Sequence, residues 1–107
     1  MQANLIQAKI TQKSDGIFVI EGELNMQTVP AVSQQLQNIL PKTNGETYTL
    51  DLASVTRSDS AGVALLVEVM QIAKAANQTL LFSNLPGQMK DIAGVSGLLD
   101  ILPVQKN

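Results

Sequence analysis

The chain has 107 residues, 45% of them hydrophobic, with no cysteine, histidine or tryptophan and only three aromatic side chains, Phe18, Tyr48 and Phe82. That length suits a single domain, and a chain of this size buries about two-thirds of its unfolded surface without needing disulfides or a structural metal. Lacking histidine and cysteine, it has no thiol nucleophile, no Ser-His-Asp triad, no imidazole base and no conventional zinc or haem ligand set. A binding protein rather than an enzyme is expected, with no cofactor and no metal.

Charge narrows the partners. Seven basic and nine acidic residues leave a net charge of −2. Residues 1–50 carry three positive and four negative charges, and residues 51–107 carry four and five. No basic cluster and few stacking side chains argue against nucleic acid. The longest apolar run, Ala61 to Val67, ends at Glu68 and falls far short of the ~20 residues needed to span a bilayer. The N-terminus shows no basic segment followed by an apolar one. A cytoplasmic location is expected, with any membrane association made through a partner.

In chain order, Leu5 to Ile10 alternate as a half-buried strand, Ser14-Asp15-Gly16 marks a tight turn, and Ile17-Phe18-Val19-Ile20 returns as a second strand. A helix is expected from Thr28 as N-cap, with Pro30 in its first turn and Val29, Val32, Leu36, Ile39 and Leu40 at helical spacing up to Pro41. After a Thr43-Asn44-Gly45 loop, Thr47 to Leu52 read as a strand with Tyr48, Leu50 and Leu52 on one face. Residues 53–59 read as a polar loop, and Ser60 to Ala76 as a long helix closed by Asn77. Thr79 to Phe82 form another strand and Gln88 to Ala93 a short helix; Leu98 to Leu102 form a strand or helical turn, and Pro103 ends the ordered part. The order β-β-α-β-α-β-α predicts a single α/β domain, helices packed on a mixed sheet of four or five strands.

The stretch from Asp51 to Val63 is the most distinctive. It combines a strand end, a polar loop and a helix start. Asp59 and Ser60 are both N-cap types, so one of them should accept from the free N–H groups of the first turn. Gly62 would let that turn approach a neighbour closely. A phosphate on Ser60 would be tolerated at a helix N-terminus. The plain alternative is that Ser60 only caps. Asp51 and Asp59 could be a catalytic carboxylate pair, but a strand end and a helix start give both ordinary structural uses.

These residues resemble the signature loop of STAS domains, the sulfate-transporter and anti-sigma-factor-antagonist fold. Gly22-Glu23-Leu24 is similar to that family's early Gly-Glu-Leu-Asp element, and Gly97-Leu98 to its late Gly-Leu. The resemblance covers residues 4–103, leaving 104–107 as a C-terminal tail. In anti-sigma factor antagonists a partner kinase phosphorylates the serine that maps to Ser60. In the MlaB branch, STAS subunits of the Mla phospholipid transporter, a threonine stands there and the domain binds the ABC ATPase subunit. Val55-x-Arg57-x-Asp59-x-x-Gly62-x-Ala64-Leu65-Leu66, Ala73-Lys74 and Leu102-Pro103 resemble the MlaB branch more closely. Asn25 and Ser60 depart from it, the first standing for an aspartate and the second restoring a phosphorylatable serine. The resemblance thus implies a non-enzymatic subunit on the cytoplasmic side of an inner membrane, bound to an MlaF-like ATPase in a system for outer-membrane lipid asymmetry. The alternative it implies is an anti-sigma factor antagonist switched at Ser60.

At 100° per residue, the long helix turns Ala61, Leu65, Leu66, Val69, Ile72, Ala73 and Ala76 toward the sheet. The opposite arc holds Ser60, Glu68, Gln71 and Lys74, and also Val63, Val67 and Met70. An outward apolar stripe suggests a partner surface. The alternative is cover from a flanking helix or the C-terminal tail. With the first reading, Val63, Val67 and Met70 supply affinity while Arg57, Asp59 and Ser60 fix the register.

Overall fold

The structure is a computed structural model that describes residues 8–39 and 46–105. The expected strand start at Leu5, the stop at Pro41, the Thr43-Asn44-Gly45 loop and the last two residues lie outside the described residues.

Strand β1 (Lys9–Ser14) pairs antiparallel with β2 (Ile17–Leu24). The turn between them uses Gly16 at φ +73°, a conformation that favours glycine because it has no Cβ. Helix α1 (Val29–Ile39) follows, then β3 (Thr47–Asp51), β4 (Val55–Ser58), α2 (Ser60–Ala75), β5 (Thr79–Ser83) and α3 (Gly87–Val95). Strands β2, β3 and β5 run parallel, in the spatial order β1-β2-β3-β5, and β4 also pairs parallel with β2. The result is the expected α/β domain with a mixed five-stranded sheet.

Four local expectations are corrected or refined. The 53–59 segment is not all loop: β3 pairs with β2 at Ile17 to Val19, and after a turn β4 resumes that pairing at Gly22 to Leu24. Val55 and Thr56 are β-branched, and the buried ends Val55 and Ser58 anchor the strand. Second, α1 begins directly after Thr28 as expected, but the Thr28 hydroxyl reaches back into the preceding turn instead of capping the helix. The Asn25 side chain accepts from the Thr28 N–H at 3.1 Å, and the Thr28 hydroxyl accepts from the Asn25 N–H at 3.0 Å. This reciprocal pair closes the turn that leads into α1. Third, of the strand and the helical turn expected as alternatives for Leu98 to Leu102, the turn forms, with Leu102 N donating to Leu98 O at 3.1 Å. Fourth, the chain beyond Pro103 packs against the sheet: Val104 bridges Phe82, whose N–H donates to Pro103 O at 2.9 Å and whose carbonyl accepts from Gln105 N at 2.7 Å.

Helix α2 packs against both α1 and α3. The core beneath includes Phe18, Ile20, Leu24, Leu36, Leu50, Leu52, Leu65, Leu66, Val69 and Phe82. Parallel strands covered by helices in this way direct their loops to one end of the sheet, where α/β domains place their ligand and partner sites.

Candidate functional site

The site is built where β2 and β4 end. The Asp59 N–H donates to Leu24 O at 3.2 Å, so the chain leaving β2 and the chain entering α2 are tied side by side. Within the first of these, Asn25 Oδ1 also accepts from Gln27 N at 2.8 Å, and the Thr28 hydroxyl donates to Glu23 O at 2.7 Å. The turn is thereby fixed with Met26 at its tip, 81% exposed. Asn25 Nδ2 donates to Glu23 Oε2 at 3.1 Å. An aspartate at that position would instead set one carboxylate against another, which gives Asn25 a local reason.

Ser58 is buried at the end of β4. Its N–H donates to Gln88 Oε1 of α3 at 2.9 Å, and its hydroxyl donates to Asp59 O at 3.0 Å. Gly62 sits directly over it: a Cβ there would collide with the Ser58 hydroxyl and lie 3.0 Å from Leu24 Cβ. The expected close approach is present. Asp59 is the N-cap of α2, its Oδ1 accepting from Ala61 N at 2.8 Å. Of the two candidate caps the aspartate serves, and Ser60 stands exposed as the first helical residue. Arg57 is exposed on β4, in register with Glu23 on β2. Arg57, Asp59 and Ser60 therefore share one end of the fold.

The outward stripe on α2 is corrected. Val63 is 2% exposed and belongs to the core, while Val67 and Met70 are half-buried and packed against that core. Glu68, expected in solvent, accepts from the Ser33 hydroxyl of α1 at 2.7 Å, and Ser33 in turn accepts from Gln37 Nε2 at 3.1 Å. A helix flanked on both sides buries a wider arc than one lying alone on a sheet. Besides Ala75 at its C-terminal end, what α2 shows to solvent is Ser60, Ala64, Gln71 and Lys74, with Val67 half-buried among them. These positions follow a spacing of three and four residues, so they form one line along the helix. Sequence reasoning missed Ala64 and Met26. Ala64 could have been found by centring the helical face on Ser60; Met26 carried no signal beyond a methionine in a polar turn.

The carboxylates have structural partners. Asp51 Oδ1 accepts from Asn84 Nδ2 and from Ala53 N, each at 2.9 Å. These bonds, first the one from Asn84 and then the one from Ala53, hold the Asp51 carboxyl below its usual pKa. Among the described residues no group of three or more His, Cys, Asp or Glu could hold a metal ion, and no helix is long and apolar enough to cross a membrane.

Comparison with known proteins agrees with this fold. The family model described as "Mlab, STAS domain" matches residues 9–103. Among solved structures, an anti-sigma factor antagonist from Mycobacterium paratuberculosis is 20% identical, with 96% of this chain and 87% of that one aligned at a TM-score of 0.69. A putative anti-sigma factor antagonist from Thermotoga maritima is 12% identical, with 94% and 86% aligned and a TM-score of 0.73. The phosphorylated form of the Bacillus cell fate determinant SpoIIAA is 19% identical, with 94% and 92% aligned and a TM-score of 0.67. At these identities the structures are alike in fold.

Proposed function

From a chain that belongs to the MlaB STAS-domain family, we propose a non-enzymatic subunit that docks on the ABC ATPase of a phospholipid transport system and regulates it. The observation that carries the reading is the continuous exposed line from the β4 end along α2: Arg57, Asp59, Ser60, Ala64 and the exposed edge of Val67. Small and half-exposed apolar side chains allow close approach along the helix, while the polar end sets register through hydrogen bonds. Met26 stands at the same end of the sheet and adapts its shape to a partner. Val63 and the buried side of Met70 support this surface from beneath. The subunit would sit at the cytoplasmic face of an inner membrane, held there by its MlaF-like partner.

A second reading has its own observation. Ser60 is free of the capping role and exposed at a helix N-terminus, where a phosphate is electrostatically favoured. One structural neighbour, SpoIIAA, occurs in a phosphorylated form. An anti-sigma factor antagonist switched at Ser60 would have this geometry.

The test is co-expression with candidate ABC ATPase subunits, followed by pull-down and an ATPase assay. The transport reading expects a stable complex with altered ATPase activity, lost in Val67→Glu while that variant remains folded. A phosphate on Ser60 found by mass spectrometry after incubation with an anti-sigma kinase, with no ATPase complex, would select the switch.

A further inference from the structure

A second surface lies away from Ser60, where α3 ends. Val95 is 91% exposed and Ile101 56% exposed, with Leu99 exposed between them and Ile92 and Leu98 half-buried beside them. The segment that carries them is firmly held: Leu98 N donates to Ala93 O at 2.8 Å, and Leu102 N donates to Leu98 O at 3.1 Å. Shallow hollows open on both sides, one lined by Asp91, Ile92, Val95 and Ser96, the other by Leu99, Asp100, Leu102 and Val104. Each hollow has one carboxylate and no cation among these lining residues. Lys90 is exposed too, but lies about 140° around the helix from Val95, whereas Asp91 lies about 40° from it.

Gly94 adds an independent observation. It is exposed in the last turn of α3, outside the positive-φ region, and a Cβ on it would meet nothing within 4 Å. Neither backbone conformation nor internal packing calls for glycine there, although glycine in a helix costs about 1 kcal/mol relative to alanine. Close approach by something outside the chain would account for it.

We propose that Val95, Leu99 and Ile101 form a second docking surface that receives a short apolar segment of another polypeptide, flanked by Lys or Arg. The charge pattern selects this occupant. A second copy docked about a two-fold axis would bring Asp91 and Asp100 against the same acidic rim. An anionic membrane surface would be repelled by both. The patch spans eleven residues, Ile92 to Leu102, against the roughly 20–30 residues per side of a standard globular interface, so a short segment fits it.

The experiment places the photo-crosslinker p-benzoylphenylalanine at Val95 of the full chain in its native cells, with Gln34 as an exposed control, and identifies the joined peptides by mass spectrometry. The expected product joins Val95 to an apolar segment flanked by Lys or Arg in another protein. Its yield should fall about tenfold when Asp91→Lys and Asp100→Lys reverse the rim. It should also fall in Gly94→Leu, which fills the open approach without disturbing a packed site, both variants being checked for folding by circular dichroism. Yield no higher than at Gln34, joining to a second copy, to lipid or to an acidic segment, or yield unchanged in folded variants would overturn the proposal.

Discussion

A methyl group on Gly62 would take the space now held by the Ser58 hydroxyl, with Leu24 Cβ only 3.0 Å away. The first turn of α2 is thus seated on the ends of β4 and β2, and this seating fixes where Ser60 emerges. Gly62→Ala should destabilise the domain by about 1–3 kcal/mol through overpacking, although alanine is the better helix former by about 1 kcal/mol. Gly94→Ala is the internal control, because open space surrounds it and it should gain stability. Urea unfolding of the two variants checks the contrast; equal stability would show that Ser58 yields freely.

Asp59 and Ser60 are adjacent, of similar capping ability, and different in role. Asp59→Ala removes the acceptor for the Ala61 N–H and should cost about 1 kcal/mol, with Asp59→Asn retaining most of it. Ser60→Ala should stay within about 0.5 kcal/mol of the parent, as exposed substitutions usually do. Thermal unfolding of the three variants reads the difference. A loss at Ser60 equal to that at Asp59 would make Ser60 part of the cap.

The sequence carried the periodicities that survive packing. The hairpin turned at Gly16, the alternation of Tyr48, Leu50 and Leu52, and the long helix after Asp59 were all legible. Strand β4 was hidden because four residues, three of them polar, show neither alternation nor length. It exists because β2 continues past the end of β3 and leaves backbone groups to be paired. Val63 was misplaced for a different reason. Hydrophobic periodicity locates the side of a helix that faces a sheet, but not how far neighbouring helices extend its buried arc. The Ser33–Glu68 hydrogen bond between α1 and α2 joins residues 35 apart, and no local pattern announces it.

Tyr48 offers a test of the core. Its hydroxyl is buried without a hydrogen-bond partner, while its ring packs at 5.5 Å from that of Phe18. Tyr48→Phe keeps the ring and removes the unpaired group, and should stabilise the protein by about 1 kcal/mol. Burial, reinforced by the Glu46 carboxylate, raises the phenol pKa in the folded state. Stability is then lost as pH rises beyond the unfolded phenol value of about 10. The phenylalanine variant should lack that alkaline loss. Denaturant titrations at neutral and alkaline pH measure both effects, and a destabilised variant would point to a hidden partner for the hydroxyl.

Asp51 sets the acid side. Its folded pKa is lowered by the hydrogen bonds from Asn84 and Ala53, so its contribution is full above the unfolded carboxylate value of about 4 and fades as pH falls through the folded value. Asp51→Asn should therefore melt lower than the parent at neutral pH, because Asn84 and Ala53 then face an uncharged acceptor. The two melting curves should converge in acid. A constant gap down to the lowest accessible pH would mean that the effect is steric, not ionic.

Ser60 separates docking from capping most sharply. Its side chain lies beside Asp59 at the start of the exposed line on α2, so a negative charge there enters any contact made with Arg57, Ala64 and Val67. At the helix N-terminus the same charge favours the folded chain by about 0.3–1 kcal/mol. Ser60→Asp should thus leave the domain as stable as the parent, or more so, while weakening its complex with the ATPase unless a basic partner group receives the charge. Ser60→Ala should bind more tightly than Ser60→Asp. Thermal unfolding and pull-down on the same two proteins give the two readouts. Equal binding by both variants would remove Ser60 from the interface and move the docking contact elsewhere on the domain.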